Sequence, residues 1–218
     1  MIHLENIGLQ YEGAAPIFKD VSLTIEKGSF HFLTGQSGAG KTSLLQLIFL
    51  AKRPTSGNIS LFGKNISSLP RDQLPAIRRR IGVVFQDFRL IDHLSVYENV
   101  TLPLRVAGQK EVMFQDNAHE LLKWVGLGER LNALPETLSG GEKQRAAIAR
   151  AVIGRPHIIV ADEPTGNVDP EIGFRLMRLL DELNKMGTTI IVATHDQKIW
   201  ESFKHPRLNI ANGQVERI

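Results

Sequence analysis

Two periodicities divide the chain. Residues 2–7 roughly alternate between apolar and polar, and residues 21–26 alternate strictly before Lys27-Gly28 turns the chain. Period two is the mark of a half-buried strand. Together they predict a small, partly antiparallel β lobe, with the apolar run 30–34 alongside it. Residues 58–62 read as a further strand closed by Gly63-Lys64, and residues 81–85 as a short apolar strand. The pattern then changes. Residues 117–125 place Ala118, Leu121, Leu122 and Val125 at helical spacing, and Gly126 and Gly128 end the run. Residues 143–152 supply a second helix of small and apolar positions. Residues 158–163 and 189–194 are apolar throughout, as strands covered on both faces are. Residues 172–184 form an amphipathic helix between them, and Asn212-Gly213 sits between alternating arms, a hairpin signal.

The expected architecture is therefore α/β. Residues 1–85 and 156–218 make an α/β core with an N-terminal β lobe, and residues 86–155 make an inserted, mainly helical subdomain. Composition changes this picture little. The chain has 218 residues, 42% hydrophobic and 22% charged, ordinary for a soluble globular protein of one domain. A net charge of +3 is too small to imply nucleic acid as a partner. There is no cysteine, so neither a disulfide nor a thiolate metal site exists. The first residues lack the basic and apolar regions of a signal peptide. No apolar run approaches the ~20 residues of a membrane span, so a membrane role is expected to pass through a partner. The triple arginine Arg78-Arg79-Arg80 reads as a solvated face rather than a binding patch.

The chemistry starts where the run 30–34 ends. Gly35-Gln36-Ser37-Gly38-Ala39-Gly40-Lys41-Thr42 fits the P-loop pattern G-x-x-x-x-G-K-[ST], with a strand before it and a helix-forming run from Ser43 after it. Glycines let backbone N–H groups converge on an anion, and the helix N-terminus adds partial positive charge. Lys41 is expected to reach the β- and γ-phosphates, and the Thr42 hydroxyl to bind Mg²⁺. Asp162 and Glu163 end a buried strand, where ligands of open α/β sheets bind. Asp162 is the expected metal acid and Glu163 the residue that orients or deprotonates a water. Gln86 ends another strand and could touch the metal or the water. His195 ends a third and could donate to a γ-phosphate. Ser139-Gly140-Gly141-Glu142 opens the helix at 143–152. It is either a capping box alone or also a second anion site made of free N–H groups, a hydroxyl and a helix dipole. Tyr11 is either a packed aromatic or a platform for a flat base.

In this order the P-loop, Gln86, Leu138-Ser139-Gly140-Gly141-Glu142, Asp162-Glu163, Asn167-Val168-Asp169 and His195 resemble the ABC-type ATPases over essentially the whole chain. The resemblance implies a P-loop NTPase core of RecA type, hydrolysis of ATP with Mg²⁺ to ADP and phosphate, and a head-to-tail homodimer enclosing two ATP molecules. It implies that Ser139, Gly140, Gly141 and Glu142 of one subunit meet the γ-phosphate held by residues 35–43 of the other. It also implies that Tyr11 stacks on adenine and that Asp169 lies at the dimer interface. Gln86 and the residues after it would grip a coupling helix of the membrane partner. Within the family, residues 32–41, 79–87 and 161–167 look like the branch that serves cell division. Val168 replaces a commoner Leu, and Thr42-Ser43 reverses a commoner order. That branch implies a four-helix membrane partner, control of cell-wall hydrolysis, and a place on the cytoplasmic face of a bacterial inner membrane at the septum. The alternative is lipoprotein release or macrolide export. A DNA-repair ATPase would need a long coiled coil, and residues 43–137 sustain no heptads. A switch GTPase would need Asn-Lys-x-Asp, which is absent.

Overall fold

The computed structural model describes residues 1–218. In chain order the elements are β1 (Ile2–Gln10), β2 (Pro16–Ile25), β3 (Phe30–Gly35), α1 (Lys41–Ile48), β4 (Ser56–Leu61), β5 (Lys64–Asn65), α2 (Leu74–Arg78) and β6 (Ile81–Val84). They continue with α3 (Val96–Val106), α4 (Gln115–Trp124), α5 (Gly140–Val152), β7 (Ile158–Asp162), α6 (Pro170–Lys185), β8 (Thr189–Ala193), α7 (Gln197–Phe203), β9 (Arg207–Ala211) and β10 (Gln214–Arg217).

Two sheets result. The lobe is four-stranded in the order β2-β1-β4-β5, and all its pairings are antiparallel. The second sheet runs β10-β9-β3-β8-β7-β6 and is parallel from β9 to β6. The expectation that the P-loop strand accompanies the lobe needs a correction. β3 makes no pairing with the lobe and lies inside the parallel sheet, between β9 and β8. Its sequence carries the reason: residues 30–34 are buried on both faces, which only a sheet covered on both sides provides.

The strands divide their side chains between two cores. Ile158, Val160, Ile191, Ala193 and Leu33 join the lobe and α1 on one side. Ile159, Ala161, Ile190, Val192, Phe30 and Phe32 join α5 and α6 on the other. A third, smaller core binds α3, α4 and α5 together through Val100, Leu122, Val125, Leu138, Ala146 and Ala149. The predicted hairpin forms, with Ala211 opposite Gln214 and both turn residues at positive φ, 52° at Asn212 and 75° at Gly213. The hairpin also ties the sheet to the lobe, because Lys19 N–H donates to Gly213 O and Gln214 Nε2 donates to Lys19 O. Of the triple arginine, Arg78 and Arg79 are exposed, whereas Arg80 is half-buried over the Phe62 ring, 3.8 Å from its centroid.

The helical region is attached to the sheet through α5. A Cβ at Gly82 in β6 would lie 2.3 Å from the carbonyl oxygen of Ala151 and 3.0 Å from Cγ of Pro156. Glycine therefore sets how closely β6 and α5 approach. Gly82→Ala is expected to cost about 1–3 kcal/mol through overpacking. The urea midpoint should fall at unchanged m, and an unaltered midpoint would show that the two elements separate freely.

Candidate functional site

The C-terminal ends of β3, β6, β7 and β8 deliver part of the predicted set, without Tyr11, Ser139 to Glu142 or Asp169, to one cleft of about 500 Å³. Its walls are Ser37, Gly38 and residues 40–43 from the loop and α1, Gln86 beyond β6, Asp162 and Glu163 from β7, and His195 beyond β8. Ile17 of β2 completes it. Nothing in the pattern of residues 16–25 marked Ile17 for this wall, since it reads as one more apolar strand position.

Backbone shape explains the loop. Gly35 has φ 145° and Gly40 has φ 107°. A Cβ at Gly40 would meet Ile17 Cγ2 at 2.7 Å, and one at Gly35 would meet Ile210 O at 2.6 Å. Both positions need glycine for conformation and for space. Gly40 is also the N-cap of α1, with no side chain to occupy the free N–H groups that follow. Lys41 is held at the loop by two carbonyls: its Nζ donates to Gly35 O at 2.8 Å and Gln36 O at 3.2 Å.

Thr42 Oγ1 donates to Asp162 Oδ2 at 2.6 Å. Burial pushes the Asp162 carboxyl above its usual range, opposed by the Thr42 hydrogen bond, with the nearby charges of Glu163 and Asp87 adding to the rise. The adjacent Glu163 takes a left-handed backbone, φ 49°, a strained conformation for a side-chain-bearing residue. That kink sends the two acids in different directions. Glu163 Oε1 lies 2.9 Å from His195 Nδ1, and the glutamate side chain is 14% exposed against 77% for the histidine. The base candidate is thus sheltered while the imidazole reaches into the open cleft. A donor set of a hydroxyl, a carboxylate and the Gln86 amide suits a hard cation such as Mg²⁺. No cluster of three or more acids or histidines exists to cage a metal unaided. That fits an ion whose remaining ligands are waters and phosphates.

Tyr11 is half-buried beside α1, its hydroxyl 3.1 Å from Ser43 Oγ and 3.5 Å from Gln46 Oε1. Lys52 Nζ sits 3.9 Å from the ring centroid. Ser139, Gly140, Gly141 and Glu142 stand apart: none lines the cleft. The capping box is complete. Glu142 N–H donates to Ser139 Oγ, and Ser139 N–H donates to the Glu142 carboxylate at 2.8 Å. These bonds, with Arg130 beside the carboxylate at 3.0 Å, hold Glu142 below its usual range. The Ser139 oxygen accepts inside the box, so its own proton remains free to donate outward. Gly140 and Gly141 lie over Asn167 O and Val168 with Ser139 and Gly140 exposed. The exposed Asp169 caps α6 without a side-chain bond.

Gln86 also lines a second hollow of about 460 Å³, with Phe49, Phe85 and Arg89. Its floor is aromatic: Phe49 and Phe85 meet edge to face at 5.7 Å. Arg150 of α5 fixes the rim by donating to the carbonyls of Phe88 and Arg89, two residues at positive φ. In the sequence Arg150 sits among alanines, a pattern that signals only a packed helix and hides this contact.

The sequence model of the ABC transporter family matches residues 18–166. The chain is 42% identical to the cell division ATP-binding protein FtsE of Mycobacterium tuberculosis, over all of this chain and 95% of that one. It is 38% identical to FtsE of Escherichia coli K12, over 99% and 97%. Among solved structures, it superposes with a TM-score of 0.93 and 38% identity on a dimeric post-hydrolysis state of the ATP-binding cassette MJ0796 bound to ADP and Pi. That match covers all of this chain and 97% of the other.

The raised carboxyl of Asp162 has a measurable consequence. The folded state holds that proton more tightly than the unfolded chain, so stability falls as pH rises through the unfolded carboxylate value and stays lower at neutral pH. Asp162→Asn is expected to raise the melting temperature of the nucleotide-free protein at pH 7.5, on the order of 2 °C. The gain should vanish below about pH 4. A gain that persists or grows in acid would contradict burial as the cause.

Proposed function

Because the chain belongs to the ABC transporter family and is an ABC-type ATPase, we propose that it is the ATP-hydrolysing subunit of an FtsE–FtsX-like complex. In that complex, ATP-driven dimerisation controls septal peptidoglycan hydrolysis during cell division. One observation supports the dimer above others: the cleft supplies one wall for a nucleotide, and the exposed end of α5 supplies anion donors that point elsewhere. Two copies placed head to tail bring these halves together. The full-length likeness to FtsE proteins supports the cell-division role.

Each residue then has a task. Backbone N–H groups of Gln36, Ser37, Gly38 and Gly40 cradle the phosphates, while Ala39 N–H closes the loop on Gln36 O at 3.1 Å, and Lys41 turns from the loop carbonyls to the β- and γ-phosphates. Thr42, Asp162 and Gln86 hold Mg²⁺, which when bound neutralises phosphate charge. Ser43 carries the Tyr11 hydroxyl, so the ring presents a face to adenine. Glu163 accepts a proton from the attacking water, and His195 keeps Glu163 aimed and donates to the γ-phosphate. From the second copy, Ser139, Gly140 and Gly141 donate to the same phosphate, Glu142 maintains the helix end that presents them, and Asp169 lies at the seam.

No helix is long and apolar enough to cross a membrane. The aromatic hollow beside Gln86, together with the helical region, is assigned to a four-helix FtsX-like partner at the cytoplasmic face of the inner membrane. Phosphate contact and partner contact meet where Thr42, Gln86 and Asp162 line both spaces.

Glu163→Gln keeps the size of the side chain and removes its basicity. Phosphate release should fall at least ~100-fold, while ATP binding persists and gel filtration shows an ATP-dependent dimer. Undiminished phosphate release would remove Glu163 from the base role. Lys41→Ala should weaken ATP binding at least tenfold by calorimetry, through loss of a charge-assisted contact. For the complex, affinity purification should recover a four-helix membrane protein with a large extracytoplasmic loop. Recovery of a many-helix permease alone would favour export instead.

A further inference from the structure

The positive charge of this protein is not spread evenly. Residues 50–80 hold seven lysines and arginines and a single acid, Asp72. The whole chain is only +3, so everything outside that segment is net negative. The segment folds around a cavity of about 490 Å³, separate from the nucleotide cleft, between the end of α1, β4 and α2. Lys52, Arg53, Arg71 and Arg78 line it, and no acidic residue does. None of the four takes part in an ion pair. Like charges gathered without counter-charges repel one another. Such an arrangement is destabilising unless an anion enters.

The neutral groups of the cavity are donors as well. Thr55 Oγ1 accepts from Gln10 N–H at 3.0 Å and Ser67 Oγ accepts from Ile59 N–H at 3.3 Å. Each hydroxyl therefore has its own proton to give. Arg78 is oriented by donation from one terminal nitrogen to Leu50 O at 2.7 Å, which leaves the rest of its fork available. Cations and hydroxyl donors without a carboxylate match the oxygens of a phosphate group. The cavity adjoins the aromatic hollow beside Gln86, since Ala51 lines both. On the membrane-partner reading of that hollow, phospholipid headgroups lie within its reach.

We propose that this cavity is a phosphate-binding subsite distinct from the ATP site, taking the headgroup of an anionic phospholipid at the membrane face. A soluble phosphate compound has the same chemistry and is the other source. The full chain is sedimented with vesicles of phosphatidylglycerol in phosphatidylcholine, and with phosphatidylcholine alone. Binding should require the anionic lipid. Arg53→Ser with Arg71→Ser, both exposed residues on the cavity, should weaken it about thirtyfold. Lys64→Ser with Arg79→Ser removes equal charge from outside the cavity and should weaken it less than about threefold. Calorimetry with inorganic pyrophosphate on Lys41→Ala, whose P-loop is impaired, tests the soluble source. A signal there that is abolished by the Arg53 and Arg71 changes assigns the subsite to a free phosphate compound. Equal losses from both charge pairs, or absence of binding to both vesicles and pyrophosphate, would overturn the proposal. No membrane partner is present in these assays, so their failure leaves the partner assignment standing, and failure to recover the partner leaves this result intact.

Discussion

A carboxylate buried at the end of β7 accepts a 2.6 Å hydrogen bond from the first turn of α1. Much of the site follows from what that burial costs. A lone ionised acid in an apolar setting is expensive. Asp162 is offset in part by Thr42 and by the charge of Lys41, and its proton affinity is still raised. The surroundings are arranged to supply the missing positive charge from a ligand: free N–H groups at the start of α1, a lysine held by weakly competing carbonyls, and oxygen donors suited to a divalent ion. The site is destabilised in isolation and gains stability when filled. On the proposed reading, that is the binding energy available to drive association of two copies.

The parallel sheet makes this juxtaposition possible. β3 lies next to β8, and β8 next to β7, so three successive strand ends carry the loop, His195, and the acids Asp162 and Glu163. The left-handed kink at Glu163 separates two adjacent acids that would otherwise compete for one space. Strain stored at that residue is held by its N–H bond to Ala193 O.

Much of this was legible in residue order. Runs apolar on both faces announced buried strands, and acids or a histidine directly after them announced the rim where ligands bind. The capping pattern at Ser139 was equally plain. Three things were hidden. Placement of β3 in the parallel sheet rather than with the lobe depends on long-range pairing, which no local period encodes. Ile17 reaches the cleft, and Lys52 the Tyr11 ring, only because β2 and the chain after α1 fold back there. Arg150 gains its meaning from two carbonyls some sixty residues earlier in the chain. The solvated reading of Arg78-Arg79-Arg80 holds for Arg79. Arg78 is exposed as well, though it donates to Leu50 O, whereas Arg80 is half-buried on Phe62.

Arg150 joins two parts of the molecule that the sequence keeps apart. It stands on α5, whose N-cap is Ser139, and it grips the backbone just beyond Gln86. Force applied to that backbone is transmitted to the helix, and rotation of the helix displaces the backbone. Linkage of this kind is symmetric at equilibrium: whatever factor ATP adds to the affinity for an occupant of the aromatic hollow, the occupant must return to the affinity for ATP. On the proposed assignment of that hollow to a membrane partner, a single guanidinium would make partner and nucleotide readers of the same equilibrium, with neither one the sole sender.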